Sequence, residues 1–577
     1  MPSEIGAGNS ITTKRLQKLK DHLKSDSKYD GTSWKHAIAQ MRTQQAVIHS
    51  PNSNNPGYLR QREAGKLWIH DRITAFIDKD SFREIGSITG RPVNDDITGT
   101  LKVFVPGNIV IGWGKVLGQN IVLTADDFSV RGGHADGGVY GKAAYAEDLA
   151  RKSRVPLIRL LDGSSGGGSV KTYLDMGATY IPSLAGLGQS METVAIVPVA
   201  SALLGPVVGL GAAKAVLSHF SVMVRGLSQS THLFAAWPPV VKQATFENLS
   251  KEALGGWQVH GSNGTVDNIA MSEEDAFAQI RRFLSFFPSS IFALPPILST
   301  NDTRNRREES LISIIPRRRA RLYDIRRLIQ LVVDTDRTGS FSSSSSFFET
   351  GTNWGQCIVT GFARLDGKTI GILSSDCTYN GGALDGLGSQ KTARFVHICD
   401  QFGIPIFNLV DQPGFAVGST AEKLATIRHG ATAMSALYNS TIPMFTVIIR
   451  RCFGVAGGAF AHPDGDRNVR VAWPSADWGS LPLEGGIEAA YKRELDATGS
   501  SEEREELMTQ LMAKFEHVRD PSKTAHLFNI EEIIDPRDTR PLACEWVANA
   551  YEHVLPQRLV ARQAAAGING QSHVPRS

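Results

Sequence analysis

Residues 381–415 read GGALDGLGSQKTARFVHICDQFGIPIFNLVDQPGF, and residues 132–166 read GGHADGGVYGKAAYAEDLARKSRVPLIRLLDGSSG. Set one beneath the other without a gap, they keep Gly132 over Gly381, Gly133 over Gly382, Lys142 over Lys391, Pro156 over Pro405 and Asp162 over Asp411. The last pair gives the spacing, 411 − 162 = 249. Working outward, the same spacing joins Gly112 to Gly361, Gly118 to Gly367, and Gly205 to Gly454 where GPVVGLGAA and GVAGGAFAH begin. A period this long marks a duplicated domain, because solenoid repeats run about 20 to 50 residues. The length of 577 residues agrees, since single cores stop growing beyond about 250 to 300 residues.

Within each copy strand and helix patterns alternate. IVIGWGKV (109–116) and NIVLTADD (120–127) predict a strand pair, AAYAEDLARKS (143–153) a helix, and VPLIRLLD (155–162) a buried strand ending in a glycine-rich turn. The second copy repeats this with CIVTGFARL, TIGILSSD, TARFVHICDQF and IPIFNLVD. The expected class is α/β, with backbone N–H groups gathered at the turns that follow the buried strands. Between the copies, 304–346 is rich in arginine and then serine and predicts a connecting segment whose arginines make a solvated, ion-paired face.

Lysine and arginine number 61 against 57 acidic residues, too small an excess for a nucleic-acid partner. No stretch approaches the roughly 20 apolar residues of a membrane span; Val194 to Leu217 comes nearest and is broken by Pro198, Pro206 and Lys214. The five cysteines are odd in number, lie in the second half and show no C-x-x-C spacing, which predicts a reducing compartment and no bound metal. ITTKRLQKLKDHLK (11–24) predicts a short basic helix, but Glu4 and Asp21 dilute its likeness to a presequence, so cytoplasm and mitochondrial matrix both stay open.

There is no G-x-S-x-G elbow, HExxH or Walker loop. Attention therefore passes to the backbone of GSSGGG (163–168) and GVAGGA (454–459), each after an apolar strand. Two explanations stand level: glycines that permit tight turns and packing, or glycines that let a carbonyl oxygen approach amide donors. Asp162 and Asp411 are expected to be turn or helix-cap residues.

Several long blocks carry a resemblance: QREAGKLWIHDRITAFIDKDSFREIG (61–86), ADDFSVRGGHADGGVYGKAAYAEDLA (125–150), GGWQVHGSNGTVDNIAMSEEDA (255–276), the 381–415 stretch, IRHGA (427–431) and AGGAF (456–460). Over roughly residues 60 to 545 the chain resembles the carboxyltransferase β subunits of propionyl-CoA and methylcrotonyl-CoA carboxylases. That resemblance implies two crotonase-like domains, 61–303 for acyl-CoA and 351–577 for biotin, with an N-terminal extension at 1–60 and a connection at 304–350. It implies a homo-hexamer, a trimer of dimers with the site at a subunit interface. Main-chain donors of Gly166 and Gly167 would hold the thioester enolate oxygen, and those of Gly457, Gly458 and Ala459 the biotin ureido oxygen. Arg131, Gly132, Gly133 and Lys142 would serve CoA, with His134 beside them, and Gly381, Gly382 and Phe415 the biotin side.

The implied reaction moves a carboxyl group from carboxybiotin to the α or vinylogous carbon of an acyl-CoA. The chain has no Met-Lys-Met attachment sequence and no region left for an ATP-grasp domain, so biotin would arrive on a separate biotin carboxylase and carrier partner. Ser164 to Val170, SSGGGSV, departs from the SGGAR common in relatives, and Ala461 leaves room beside the acyl pocket. A biotin-independent carboxyacyl-CoA decarboxylase and a non-catalytic scaffold subunit are the alternatives.

Overall fold

The structure is a computed structural model and describes residues 33–51, 53–94, 101–134, 138–139, 141–163, 171–181, 184, 186–225, 231–335, 345–461 and 468–567. The basic helix expected at 11–24, the loop 164–170 and part of the serine run lie outside the described residues. The chain divides into two compact units. The smaller, Met1–Ser53 with Gly86–Gly107, contains the helix Lys35–Ile48 and an antiparallel pair, Gly90–Asn94 with Leu101–Pro106.

The larger unit holds both copies, each built on a seven-stranded sheet. The first runs Arg83–Ile85, Ile109–Val116, Gln119–Asp126, Leu157–Leu161, Val199–Leu203, Phe220–Val224, Asn268–Ala270 in spatial order. Its first three strands are antiparallel neighbours and the rest are parallel. The second repeats the order as Phe348–Thr350, Ile358–Leu365, Lys368–Ser375, Ile406–Gln412, Met444–Phe453, Val469–Ala472, and Asp477–Gly479 extends the edge beside Met444–Phe453. Parallel strands need helical crossovers, supplied at equivalent places by Lys142–Ser153 and Gly386–Phe402.

The hairpins show why the landmark glycines recur. Leu117 and Gly118 have φ of 52° and 77°, and Asp366 and Gly367 have the same two values. A two-residue turn with both φ positive matches the twist of its strands and demands glycine or a tolerant residue. Both turns are held by a carboxylate from outside the sheet. Asp78 accepts from the N–H groups of Leu117 and Gly118 at 3.1 and 2.7 Å, and Asp334 from those of Asp366 and Gly367 at 3.0 and 2.7 Å.

The constant spacing fails after the buried strand. Leu157 pairs with Val199, but Ile406 pairs with Met444, four residues short of the 249 offset, and the second pairing bulges between Val410 and Gln412. Gly205 therefore leads into a short ladder, Pro206–Val208 with His232–Phe234, before the helix Leu210–Val216, whereas Gly454 opens the helix Gly454–Ala461 directly.

The copies share one hydrophobic core. Phe220, Phe283, Phe286 and Phe287 of the first meet Phe348, Phe362, Phe395 and Phe402 of the second, with Phe287 5.0 Å from Phe362 and 5.2 Å from Phe402 between ring centroids. The ion pair Arg394–Asp267, 2.9 Å, lies beside this seam. The segment 304–350 is more than a connection. Its helix Ile325–Val332 buries Ile325, Leu328, Ile329 and Val332 in the second copy's core, and Arg326 pairs with Glu349 and Asp376 at 2.6 Å each.

Candidate functional site

Each buried central strand ends in an aspartate, and neither aspartate caps a helix or turn. Asp162, fully buried, takes Arg72 Nη1 at 2.8 Å and Gln61 Nε2 at 3.2 Å on Oδ2, and Arg72 also grips Glu273 at 2.9 and 2.6 Å. Asp411, equally buried, is held by Arg450 at 2.7 Å, Arg451 at 2.7 Å and the Tyr323 hydroxyl at 2.9 Å. Burial would raise the Asp411 carboxyl, but hydrogen bonds and charge from Arg451 and Arg450 hold it below the usual range. The expected capping role is thus corrected: both are anchors of buried ion pairs, whose arginines come from different places in the two copies. Asp126 lies alongside and accepts the Asp162 N–H at 3.1 Å; burial, with the Asp162 charge added, pushes its carboxyl up to about 8.

A cavity of about 1310 Å³ opens at the C-terminal ends of Leu157–Leu161 and Val199–Leu203, where Gly163 and Pro206 line it. Ligands favour this end of α/β sheets. Of the expected residues, Arg131, Gly132 and His134 line it; Gly133 lies just beneath. A Cβ on Gly133 would meet the Asp162 carbonyl at 2.3 Å, and one on Gly163 would meet the Gly132 carbonyl at 2.2 Å. Both glycines also have positive φ, 68° and 89°. The two backbone segments can approach this closely only as glycine. Lys142 does not line the cavity; it begins a helix, and burial holds its ammonium below the usual lysine range against the pull of Glu84.

The remaining lining was not read from the sequence. Arg60, Arg225 and Lys251 are exposed cations around the cavity, and Lys66 is a nearly buried one, its side chain 12% exposed. Arg225 lies over Trp257 at 4.6 Å and Lys251 over Trp237 at 5.4 Å. His232 Nε2 is 2.8 Å from Glu252 Oε1. Arg60 precedes QREAGK (61–66) and Lys66 ends it, but nothing in its spacing tells that the helix Pro56–Glu63 ends so that Gly65, φ 72°, turns Lys66 inward. Gly166 and Gly167 lie outside the described residues.

In the second copy, the segments 381–382, 414–415 and 453–459 converge at the matching strand ends. Gly381 and Gly382 have φ of 63° and 86°, and Arg451 donates to the Gly381 carbonyl at 2.6 Å, tying this turn to the Asp411 anchor. Phe415 is half-buried, and a Cβ on Gly430 would meet its ring at 2.3 Å. Gly457, Gly458 and Ala459 lie in the helix Gly454–Ala461. In a helix that starts at Gly454, the amides of Gly454, Val455 and Ala456 are the ones without an acceptor one turn back, so the open donors precede the three expected. The two glycines differ in kind. Gly457 is required by packing, since a Cβ would meet Cys452 carbon at 2.7 Å, whereas a Cβ on exposed Gly458 meets nothing within 4 Å. Ala461 is buried.

Comparison with known proteins follows the same outline. The carboxyl transferase domain pattern matches residues 60–558. A propionyl-CoA carboxylase carboxyltransferase subunit of Haloferax mediterranei is 32% identical over 487 residues, 83% of this chain and 89% of that protein. The methylmalonyl-CoA decarboxylase subunit alpha of Veillonella parvula is 31% identical over 510 residues, covering 86% and 93%. The transcarboxylase 12S structure, described as a hexamer with methylmalonyl-CoA and methylmalonic acid bound, superposes with a TM-score of 0.76 at 26% identity, covering 90% of this chain and 96% of its own. Among the described residues no helix is long and apolar enough to cross a membrane. With its duplicated crotonase-like α/β halves and a match across most of its length, the chain belongs to the carboxyl transferase domain family and is an enzyme of the acyl-CoA carboxyltransferase class.

Proposed function

We propose that the chain moves a carboxyl group between carboxybiotin, delivered on a separate carrier protein, and the α or vinylogous carbon of an acyl-CoA. The observation that carries this is the 1310 Å³ cavity at the strand ends, ringed by exposed Arg60, Arg131, Arg225 and Lys251. Exposed cations at the mouth suit the phosphates of CoA. Gly133 and Gly163 bring the chain to the start of the loop where Gly166 and Gly167 are proposed to donate to the thioester oxygen.

The second copy fits a ureido group: the open amides of Gly454, Val455 and Ala456, with Gly457, Gly458 and Ala459 following, can donate to an oxygen of partial negative charge at the helix N-terminus, and Gly458 leaves the surface clear for close approach. Carboxybiotin supplies the CO2 equivalent and the base for the α-proton. The chain's own residues orient the thioester, exclude water and hold charge on two oxygens, each lost donor costing about 3 kcal/mol of barrier lowering. The hexamer of transcarboxylase 12S supports a similar assembly here, and the relatives named propionyl-CoA carboxylase beta chain support a biotin carboxylase and carrier subunit as partner.

The test is CO2 exchange and release from malonyl-CoA, methylmalonyl-CoA and longer carboxyacyl-CoAs, with and without free biotin. Biotin-dependent exchange is expected, and its absence alongside intact CoA-ester binding would overturn the proposal. The relative named methylmalonyl-CoA decarboxylase subunit alpha supports a second reading, net decarboxylation. Release of CO2 without return of label into substrate is its signature.

A further inference from the structure

We propose that Lys66 is the docking point for the free carboxylate of a carboxyacyl-CoA, so that the first copy reads its substrate with a side-chain charge as well as with backbone amides. This rests on the acyl-CoA assignment of the cavity and adds a specificity residue to it.

Among the cations lining the cavity, Arg60, Arg131, Arg225 and Lys251 are exposed, and Lys66 alone of these five is nearly buried. A CoA ester carries its phosphates at one end and its acyl group at the other. Cations at the mouth suit the phosphates, which leaves the buried cation for the acyl end.

Its surroundings are those of an unfilled contact. Lys66 Nζ is 3.9 Å from Asp162 Oδ1, beyond hydrogen-bond range, and reaches no closer acceptor among the described residues. Asp162 Oδ1 itself accepts no hydrogen bond, while Oδ2 is engaged by Arg72 and Gln61. Gly205 makes the space: a Cβ there would lie 1.8 Å from Asp162 Oδ1 and 2.9 Å from Lys66 Nζ. A nearly buried ammonium with its donors open, at the strand end beside Gly163, is a ready partner for an anionic oxygen. Arg72 carries one positive charge between the carboxylates of Asp162 and Glu273, so Lys66 supplies the second, shared between Asp162 and the arriving carboxylate.

The experiment compares binding of methylmalonyl-CoA and propionyl-CoA, which differ by that carboxylate, to the full chain in its native assembly, for wild type, Lys66→Met and Lys66→Arg. Lys66→Met is expected to weaken methylmalonyl-CoA by about tenfold to a hundredfold, the range of a charge-assisted hydrogen bond, and to leave propionyl-CoA unchanged. Lys66→Arg should recover part of the discrimination. Unchanged propionyl-CoA affinity also reports that the variant is folded; if Lys66→Met does not fold, Lys66→Gln takes its place. Equal weakening of both esters, or of neither, overturns the proposal while leaving the acyl-CoA site standing. Failure of the wild-type chain to bind either ester overturns both.

Discussion

Single residues in this chain separate into those that hold the fold and those that leave room for a ligand. Gly457→Val and Gly458→Val should split cleanly. The first forces a side chain into Cys452 and is expected to cost about 1 to 3 kcal/mol in thermal or urea unfolding. The second has open space and should fold normally yet reduce biotin-dependent exchange about a hundredfold, with CoA-ester binding intact. Its effect is steric, since φ at Gly458 is not positive. Arg72→Met strands Asp162 and Glu273 as buried carboxylates and should cost about 3 to 5 kcal/mol. Asp126 adds a pH signature. Its folded-state pKa of about 8 stands above the usual aspartate value of 3.8, so its contribution is complete below 3.8 and is lost as pH rises through 8. Against Asp126→Asn, wild type should therefore lose relative stability between about pH 5 and about pH 8 in urea titrations; a constant difference would show that Asp126 titrates normally. Gly132 and Gly133 stood out in the sequence because they recur at Gly381 and Gly382, and Gly132 and His134 line the cavity. The sequence could not reveal the Lys66 contact or the Asp162–Arg72 pair, since those partners meet across 90 or more residues.

At the level of elements, the hairpins repeat more faithfully than what holds them. The turns at Gly118 and Gly367 obey the 249 spacing, but their clasps, Asp78 and Asp334, are 334 − 78 = 256 apart and come from segments with no common pattern. The strand pairs and crossover helices were legible from periodicity and turn residues. Where the copies parted, at Gly205 and Gly454, identical glycines concealed a short ladder in one and a helix in the other, because the deciding contacts lie in His232–Phe234. The equivalent turns also predict unequal mutants. Gly118→Ala meets nothing within 4 Å and should cost only the left-handed penalty of about 1 to 2 kcal/mol. Gly367→Ala adds a clash with the Leu298 carbonyl at 1.9 Å and should cost visibly more in the same unfolding assay.

For the whole molecule, the duplication was plain and the union of the copies was not. RRFLSFFPSS (281–290) is visibly apolar, yet its partners Phe362 and Phe402 are named only by the folded chain. Phe287→Ala should cost about 3 to 5 kcal/mol and lower the stability of both copies together, seen as one shifted calorimetric transition for the larger unit. Two separable transitions, with only one displaced, would contradict a shared core. The seam also bears on descent. Before the sequence was doubled, an apolar face of this size on a single copy would have required a second copy against it. The contact between Phe283–Phe287 and Phe362–Phe402 supplies that cover from within one polypeptide. Once joined, neither copy had to match itself any longer, and the two could part on one scaffold, as they do after Gly205 and Gly454.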